Sequence, residues 1–202
     1  MLRILPYLIL LGAGPSLGPD SRVALVWGPS VALAQRPVPS STLVTGQLSY
    51  DGRATLGDFT GTTDSLSGHL IGADDLSRVS GFVQARAATL KTGNGKRDRD
   101  QYKSLEVDSF PYIRYELDSV SVDAPGRDST TVTLRGHFVL HGVRRAADLP
   151  ARLVLTPISA HLTAATPVDL RHYQVEGLSK LLGVLKMNPE IVVRIDVRFG
   201  LE

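Results

Sequence analysis

Ile191-Val192-Val193-Arg194-Ile195-Asp196-Val197-Arg198-Phe199-Gly200-Leu201 decides how this chain folds. Ile191, Val193, Ile195, Val197, Phe199 and Leu201 take every second position, while Arg194, Asp196, Arg198 and Gly200 fill the later gaps. Successive side chains of a strand point to opposite faces, so this spacing puts the six apolar side chains on one face and the charges on the other. One face suits a dry interior and the other suits water.

The same alternation recurs upstream. Val132, Leu134, Phe138 and Leu140 alternate with Thr131, Thr133, Arg135 and His137. Ile113, Tyr115 and Leu117 stand against Arg114, Glu116 and Asp118, and Leu149, Ala151, Leu153 and Leu155 surround Arg152. One-sided strands of this kind belong to antiparallel sheets with one face packed and one solvated. The chain therefore reads as all-β, and its function is expected in what the apolar faces enclose.

Composition narrows the class. With 43% hydrophobic and 21% charged residues, the chain is neither disordered nor a polytopic membrane protein. The formal net charge of +2 provides no field to draw nucleic acid or anionic membranes. Zero cysteines excludes disulfides, thiolate metal sites, cysteine nucleophiles and a lipoprotein anchor.

Residues 1–34 read as a secretory signal peptide. Apolar stretches lead to Ala32-Leu33-Ala34, a small-residue cleavage pattern before Gln35, so a periplasmic or secreted location is expected. Gly12, Gly14, Pro15, Gly18, Pro19 and Asp20 break any run long enough to span a membrane stably. Residues 35–42, rich in proline and serine, read as a flexible leader, and residues 43–202 as one domain without repeat or linker.

Along that domain, short strands are expected over Leu43–Leu56, Phe59–Gly61 and Leu66–Leu70, then a longer one over Val79–Leu90. Tyr102 and Leu105, three apart, mark a short surface helix opened by Lys96-Arg97-Asp98-Arg99-Asp100. The alternating signs of that run suit a solvated helix start, in which Arg97 and Asp98 have the further option of locking the helix to the sheet. Strands follow over Tyr112–Val122, Thr130–Leu140, Ala146–Thr156 and within Ile158–Leu170. His141-Gly142-Val143-Arg144-Arg145 reads as a hairpin connection. Gly177–Met187 carries Leu178, Leu181, Leu182 and Leu185 at helical spacing, so a second amphipathic helix is expected there.

Catalytic and metal chemistry find no constellation. His137 and His141 share a strand face but lack a third ligand, and they read, with His69, His161 and His172, as exposed histidines. No serine sits in a G-x-S-x-G elbow, and Thr92-Gly93-Asn94-Gly95-Lys96 lacks phosphate-loop spacing. No enzyme, catalytic residue, resident cofactor or metal is expected.

Leu90-Lys91-Thr92-Gly93-Asn94, Lys96-Arg97-Asp98, Leu105 and Phe110-Pro111-Tyr112-Ile113-Arg114-Tyr115 resemble the central signature of the YceI-like family. Leu134-Arg135-Gly136-His137-Phe138-Val139-Leu140-His141-Gly142-Val143-Arg144-Arg145 resembles its second signature, a strand and tight turn. The likeness runs over residues 43–202. It implies an antiparallel lipocalin-like β-barrel of about eight strands with one or two short helices, exported, with a long polyisoprenoid in its lumen. Two departures concern polar head-group recognition. Leu48-Ser49-Tyr50-Asp51-Gly52-Arg53 lacks a histidine found in many members, and Asp100 stands where many have another.

The expected function is sequestration or transport of a long isoprenoid, an isoprenoid quinone or a similar apolar lipid. The expected lumen residues are Ile113, Tyr115 and Leu117, then Val132, Leu134, Phe138 and Leu140, and finally Val193, Ile195, Val197 and Phe199. A homodimer is a possible assembly, and nucleic acid is not an expected partner. The alternative is a solid-cored barrel acting through its surface, because small barrels fill their interiors with side chains and periodicity does not distinguish the two.

Overall fold

The computed structural model describes residues 37–55, 57–126, 128–175, 179–180 and 185–201; the expected signal peptide lies outside them. Strand β1 (Ser41–Gly52) is followed by β2 (Phe59–Thr63), β3 (Leu66–Ile71) and β4 (Ser80–Arg86). Helix α1 (Gly95–Ser104) then precedes β5 (Tyr112–Pro125), β6 (Thr130–Leu140), β7 (Val143–Leu155) and β8 (Ser159–Asp169). Two short strands, β9 (Ser179–Lys180) and β10 (Leu185–Lys186), lead to β11 (Glu190–Leu201).

The large sheet runs β11-β8-β7-β6-β5-β4-β3-β1-β2, and β11 also pairs with β1. That last pairing, from Ser41 opposite Leu201 to Asp51 opposite Val192, closes the sheet into an eight-stranded antiparallel barrel. The start of β1 pairs with β3 and its end with β2, so β2 and β3 act as one interrupted stave. The expected fold class is the observed one.

Alternation decides which way each strand faces. Along β6 Thr130, Val132, Leu134, Gly136, Phe138 and Leu140 are buried, while Thr131 and Arg135 are exposed. The outer face carries ion pairs instead: Glu116 accepts a hydrogen bond from Arg144 Nε at 2.8 Å, and Arg114 Nε lies 3.3 Å from its other oxygen. The Arg144 hydrogen bond holds the Glu116 carboxyl below the usual carboxylate range.

The two ends of the barrel differ. At the end holding the β5–β6 and β7–β8 turns, Val132 and Val197 are fully buried and Phe199 nearly so, and Leu76 and Val79 of the β3–β4 connection are buried as well. Glycines let the wall draw in here. A Cβ on Gly46 would sit 2.7 Å from Val197 Cγ1, and one on Gly136 would sit 2.0 Å from the Glu116 carbonyl oxygen, beside the bulge between Leu117 and Ser119.

Three expectations are corrected. The helix expected over Gly177–Met187 is replaced, where that segment is described, by β9 paired with β10; Gly177, Leu178 and residues 181–184 lie outside the described residues. The strand expected over Val79–Leu90 stops at Arg86, and Ala87–Thr89 form a 3₁₀ turn with Ala87 buried. His141 is not exposed: its ring packs against Phe110 at 4.7 Å, with Nδ1 3.1 Å from the Tyr173 carbonyl and Nε2 3.4 Å from Glu106. It reaches them because His141 and Gly142 both have positive φ, 51° and 73°, as a two-residue hairpin loop demands. His137 stays on the outer face beside Asp118, at 3.0 Å.

Gly136→Val forces a side chain against the β5 backbone and is expected to lower stability by about 2 kcal/mol or more. Arg135→Gln, on the wet face of the same strand, is expected to change it by less than about 0.5 kcal/mol. Urea unfolding of the two variants beside the parent checks both.

Candidate functional site

The opposite end of the barrel is open and roofed by α1. Helix formation starts at Asn94, whose side-chain oxygen accepts from the backbone N–H groups of Lys96 and Arg97 at 3.1 and 3.2 Å. Asp98 is buried and accepts from the Thr92 backbone N–H at 2.9 Å and the Thr92 hydroxyl at 2.7 Å, tying the helix to the loop before it. The Tyr102 hydroxyl donates to the Leu90 carbonyl at 2.7 Å. Burial alone would push the Asp98 carboxyl up, but the two Thr92 hydrogen bonds and the nearby Lys91 and Arg97 charges outweigh it and hold the group below the usual range.

Gln101 crosses from helix to wall. Its side-chain oxygen accepts from the Tyr50 hydroxyl, and its amide nitrogen faces the Leu90 carbonyl at 3.4 Å. Tyr50 has room for its ring because Gly61 stands opposite it on β2; a Cβ there would lie 2.2 Å from Tyr50 Cε1. Burial pushes the Tyr50 hydroxyl well above the ordinary tyrosine range, so the ring stays neutral. Beside it the Arg97 guanidinium stacks over Phe59 at 4.1 Å, and Phe59 meets Tyr50 edge-on at 6.0 Å.

Beneath this roof lies a cavity of about 360 Å³. Its wall is apolar: Leu48, Tyr50, Ile113, Phe138, Leu140, Ile191 and Val193, with Leu90, Leu105, Leu170, Val175 and Met187 around the mouth. Its rim is polar, with Asn94, Lys96, Arg97, Asp100, Gln101 and Ser104 all from α1 or its cap. A further void of about 40 Å³ lies deeper, sharing Leu48, Ile113, Phe138 and Val193 and adding Val83, Tyr115, Leu149, Ala164 and Ile195. The run Lys96–Asp100, expected to be a solvated helix start, thus has a second role as part of the rim.

The expected lumen residues divide between the two halves. Ile113, Phe138, Leu140 and Val193 line the large cavity, and Tyr115 and Ile195 line the inner void. Leu117, Val132, Leu134, Val197 and Phe199 border neither; Leu117, Val132 and Leu134 lie deeper along their strands than Ile113 and Phe138, and with Val197 and Phe199 they pack in the filled end. Sequence reasoning missed Leu48, Tyr50 and Ile191, although their alternation was visible. It had no periodic signal for Leu170, which opens the 3₁₀ turn Leu170–Tyr173, or for Val175, which follows it. Among the described residues, no group of three or more His, Asp or Glu side chains is placed to hold a metal ion, and no helix is long and apolar enough to cross a membrane.

Comparison with known families matches the YceI-like domain over residues 39–199. The chain belongs to the YceI-like family. No curated protein matches its sequence. Among solved structures it is similar to a polyisoprenoid-binding domain from Saccharophagus degradans implicated in plant cell wall breakdown, at 15% identity and a TM-score of 0.67, covering 82% of this chain and 99% of that one. It is also similar to Burkholderia cenocepacia BcnA, at 12% identity and a TM-score of 0.62, covering 76% and 95%. The Campylobacter jejuni YCEI protein matches at 12% identity and a TM-score of 0.55, over 70% and 84%. Likeness at these identities speaks for the fold. Thr92, Asn94 and Asp98, within the stretch that resembles the family's central signature, cap and anchor α1.

Asp98→Ala strands the Thr92 N–H and is expected to cost about 1–3 kcal/mol at neutral pH. Because the folded-state pKa is lowered, the contribution of Asp98 is present above the ordinary carboxylate range and lost as pH falls through the folded value. Thermal unfolding of parent and variant against pH should therefore show the gap closing on acidification.

Proposed function

We propose that this YceI-like protein is an exported lipid-binding protein that holds one isoprenoid or similar apolar chain in the open half of its barrel, for sequestration or transport. The observation that carries the reading is the cavity of about 360 Å³, with an apolar wall and a polar rim. Its size falls within the range of small-molecule sites, of roughly 300–1,000 Å³. Burial of each methylene contributes roughly 0.8 kcal/mol before the costs of ordering, so apolar contact alone supplies useful affinity. The likeness to a polyisoprenoid-binding domain points to the same ligand class. The cavity also favours this reading over a solid-cored barrel acting through its surface.

Binding rather than catalysis fits the mouth. The polar groups nearest the apolar wall are already engaged, Tyr50 with Gln101 and Arg97 with Phe59, in an arrangement that orients no nucleophile. Export rests on the Ala32-Leu33-Ala34 cleavage pattern. Recovery of a mature protein beginning at Gln35 from the cell envelope or medium tests it, and retention of residues 1–34 on a cytoplasmic protein would overturn it.

Organic extraction and mass spectrometry of the purified protein are expected to yield a bound lipid, and the emptied protein to take up a prenyl alcohol or quinone saturably. Val193→Asp places a charge in the cavity wall and is expected to weaken uptake at least about tenfold, or about 1.4 kcal/mol, while the barrel stays folded by circular dichroism. No extractable lipid together with no saturable uptake would reject the binding reading.

A further inference from the structure

The lumen ends part-way down the barrel. On β11 the cavity wall runs from Ile191 through Val193 to Ile195, and Val197, the next inward residue, is fully buried. At about 3.3 Å per residue and a strand tilt of about 40°, that stretch gives an open depth of about 10 Å along the barrel axis. On β5 the open wall likewise runs from Ile113 to Tyr115 and is closed at Leu117.

Tyr115 is fixed at both ends. Its backbone belongs to β5, while its hydroxyl lies 2.9 Å from the carbonyl oxygens of both Leu134 on β6 and Ala147 on β7, which share its one proton. Swinging the ring aside would strand a buried hydroxyl, at the cost of both hydrogen bonds. The void beside it is the narrow inner end of the lumen, about 40 Å³ against about 360 Å³ for the outer cavity, and the next inward residues, Leu117 and Val197, are buried. The open path therefore narrows at this ring and stops at the packed residues beyond it.

We propose that this site, read as a lipid site, is selective for a short apolar chain, and that Tyr115 is the specificity-determining residue that ends its path. With carbon–carbon bonds of about 1.5 Å, the open depth plus the space under α1 takes about two to three isoprene units. A longer chain leaves its remainder at the polar rim of Lys96, Arg97 and Asp100, where it gains no apolar burial.

The test is uptake of geraniol, farnesol, geranylgeraniol and solanesol, in rising length, by the full-length mature protein stripped of lipid. Affinity is expected to rise from geraniol to farnesol and then stay within about twofold through solanesol. Tyr115→Ala is expected to move the plateau to geranylgeraniol. Should that variant fail to fold, Val193→Phe, which fills part of the cavity, decides: it is expected to bring the plateau back to geraniol. Affinity that keeps climbing to solanesol, or a plateau that neither folded variant moves, would overturn the length limit while leaving lipid binding intact. Uptake of none of the four would overturn the lipid-binding reading itself, and the length limit with it.

Discussion

The pairing of β1 with β11 is the constraint on which the rest depends. The two strands lie at opposite ends of the described chain, yet they pair from Ser41–Leu201 to Asp51–Val192. Without that seam the sheet would have two long edges, and the apolar side chains of β11 would face one another across an open surface. With it, every inward residue points into one enclosed space. The cavity therefore depends on the most non-local contact in the fold, which carries the largest chain-ordering cost.

Closure alone does not decide whether the enclosed space is hollow. One alternating pattern produces both halves, and local sizes and bulges separate them. Gly46 and Gly136 allow the wall to approach Val197 and the β5 backbone at the filled end, and the β3–β4 connection contributes Leu76 and Val79. At the other end, the long connection between β4 and β5 carries the α1 roof above the staves instead of filling the space between them. The α1 roof is attached through polar groups: Asp98 to Thr92, Tyr102 to Leu90, Gln101 to Tyr50. Polar attachment leaves the apolar wall beneath it free.

Much of the barrel was legible in the sequence because its strands are wet on one side. Ile191–Leu201 and Thr130–Leu140 announce their inward faces at every second residue, and the structure keeps that parity from Thr130 to Leu140 and from Ile191 to Phe199. What periodicity could not supply was depth along the axis. Phe138 and Val132 share a face of β6, yet Phe138 borders the cavity and Val132 lies in the filled end. Depth depends on strand tilt and register between neighbours, which no single strand encodes. In the described part of Gly177–Met187, where a helix was expected, Ser179–Lys180 pairs with Leu185–Lys186 instead, a short strand pair that helical spacing of leucines does not announce.

The character of the site follows from how its polar groups are satisfied. Tyr50 and Tyr115 are the tyrosines on the cavity wall, and burial drives both hydroxyls well above the ordinary tyrosine range. They stay uncharged at any ordinary pH, and each proton is already given to protein oxygen, Tyr50's to Gln101 and Tyr115's shared between two backbone carbonyls. A chain entering as proposed would therefore meet two neutral tyrosines whose protons are already donated. A hydroxyl or amine carried deep inside would lose water and find no ready donor in those tyrosines, at a cost of a few kcal/mol. A chain with its polar end at the α1 rim and only hydrocarbon below avoids that cost. Under the proposed lipid-binding function, orientation would then be set by exclusion from the interior rather than by a specific grip on the head group, and discrimination would fall to the shape and length of the apolar part.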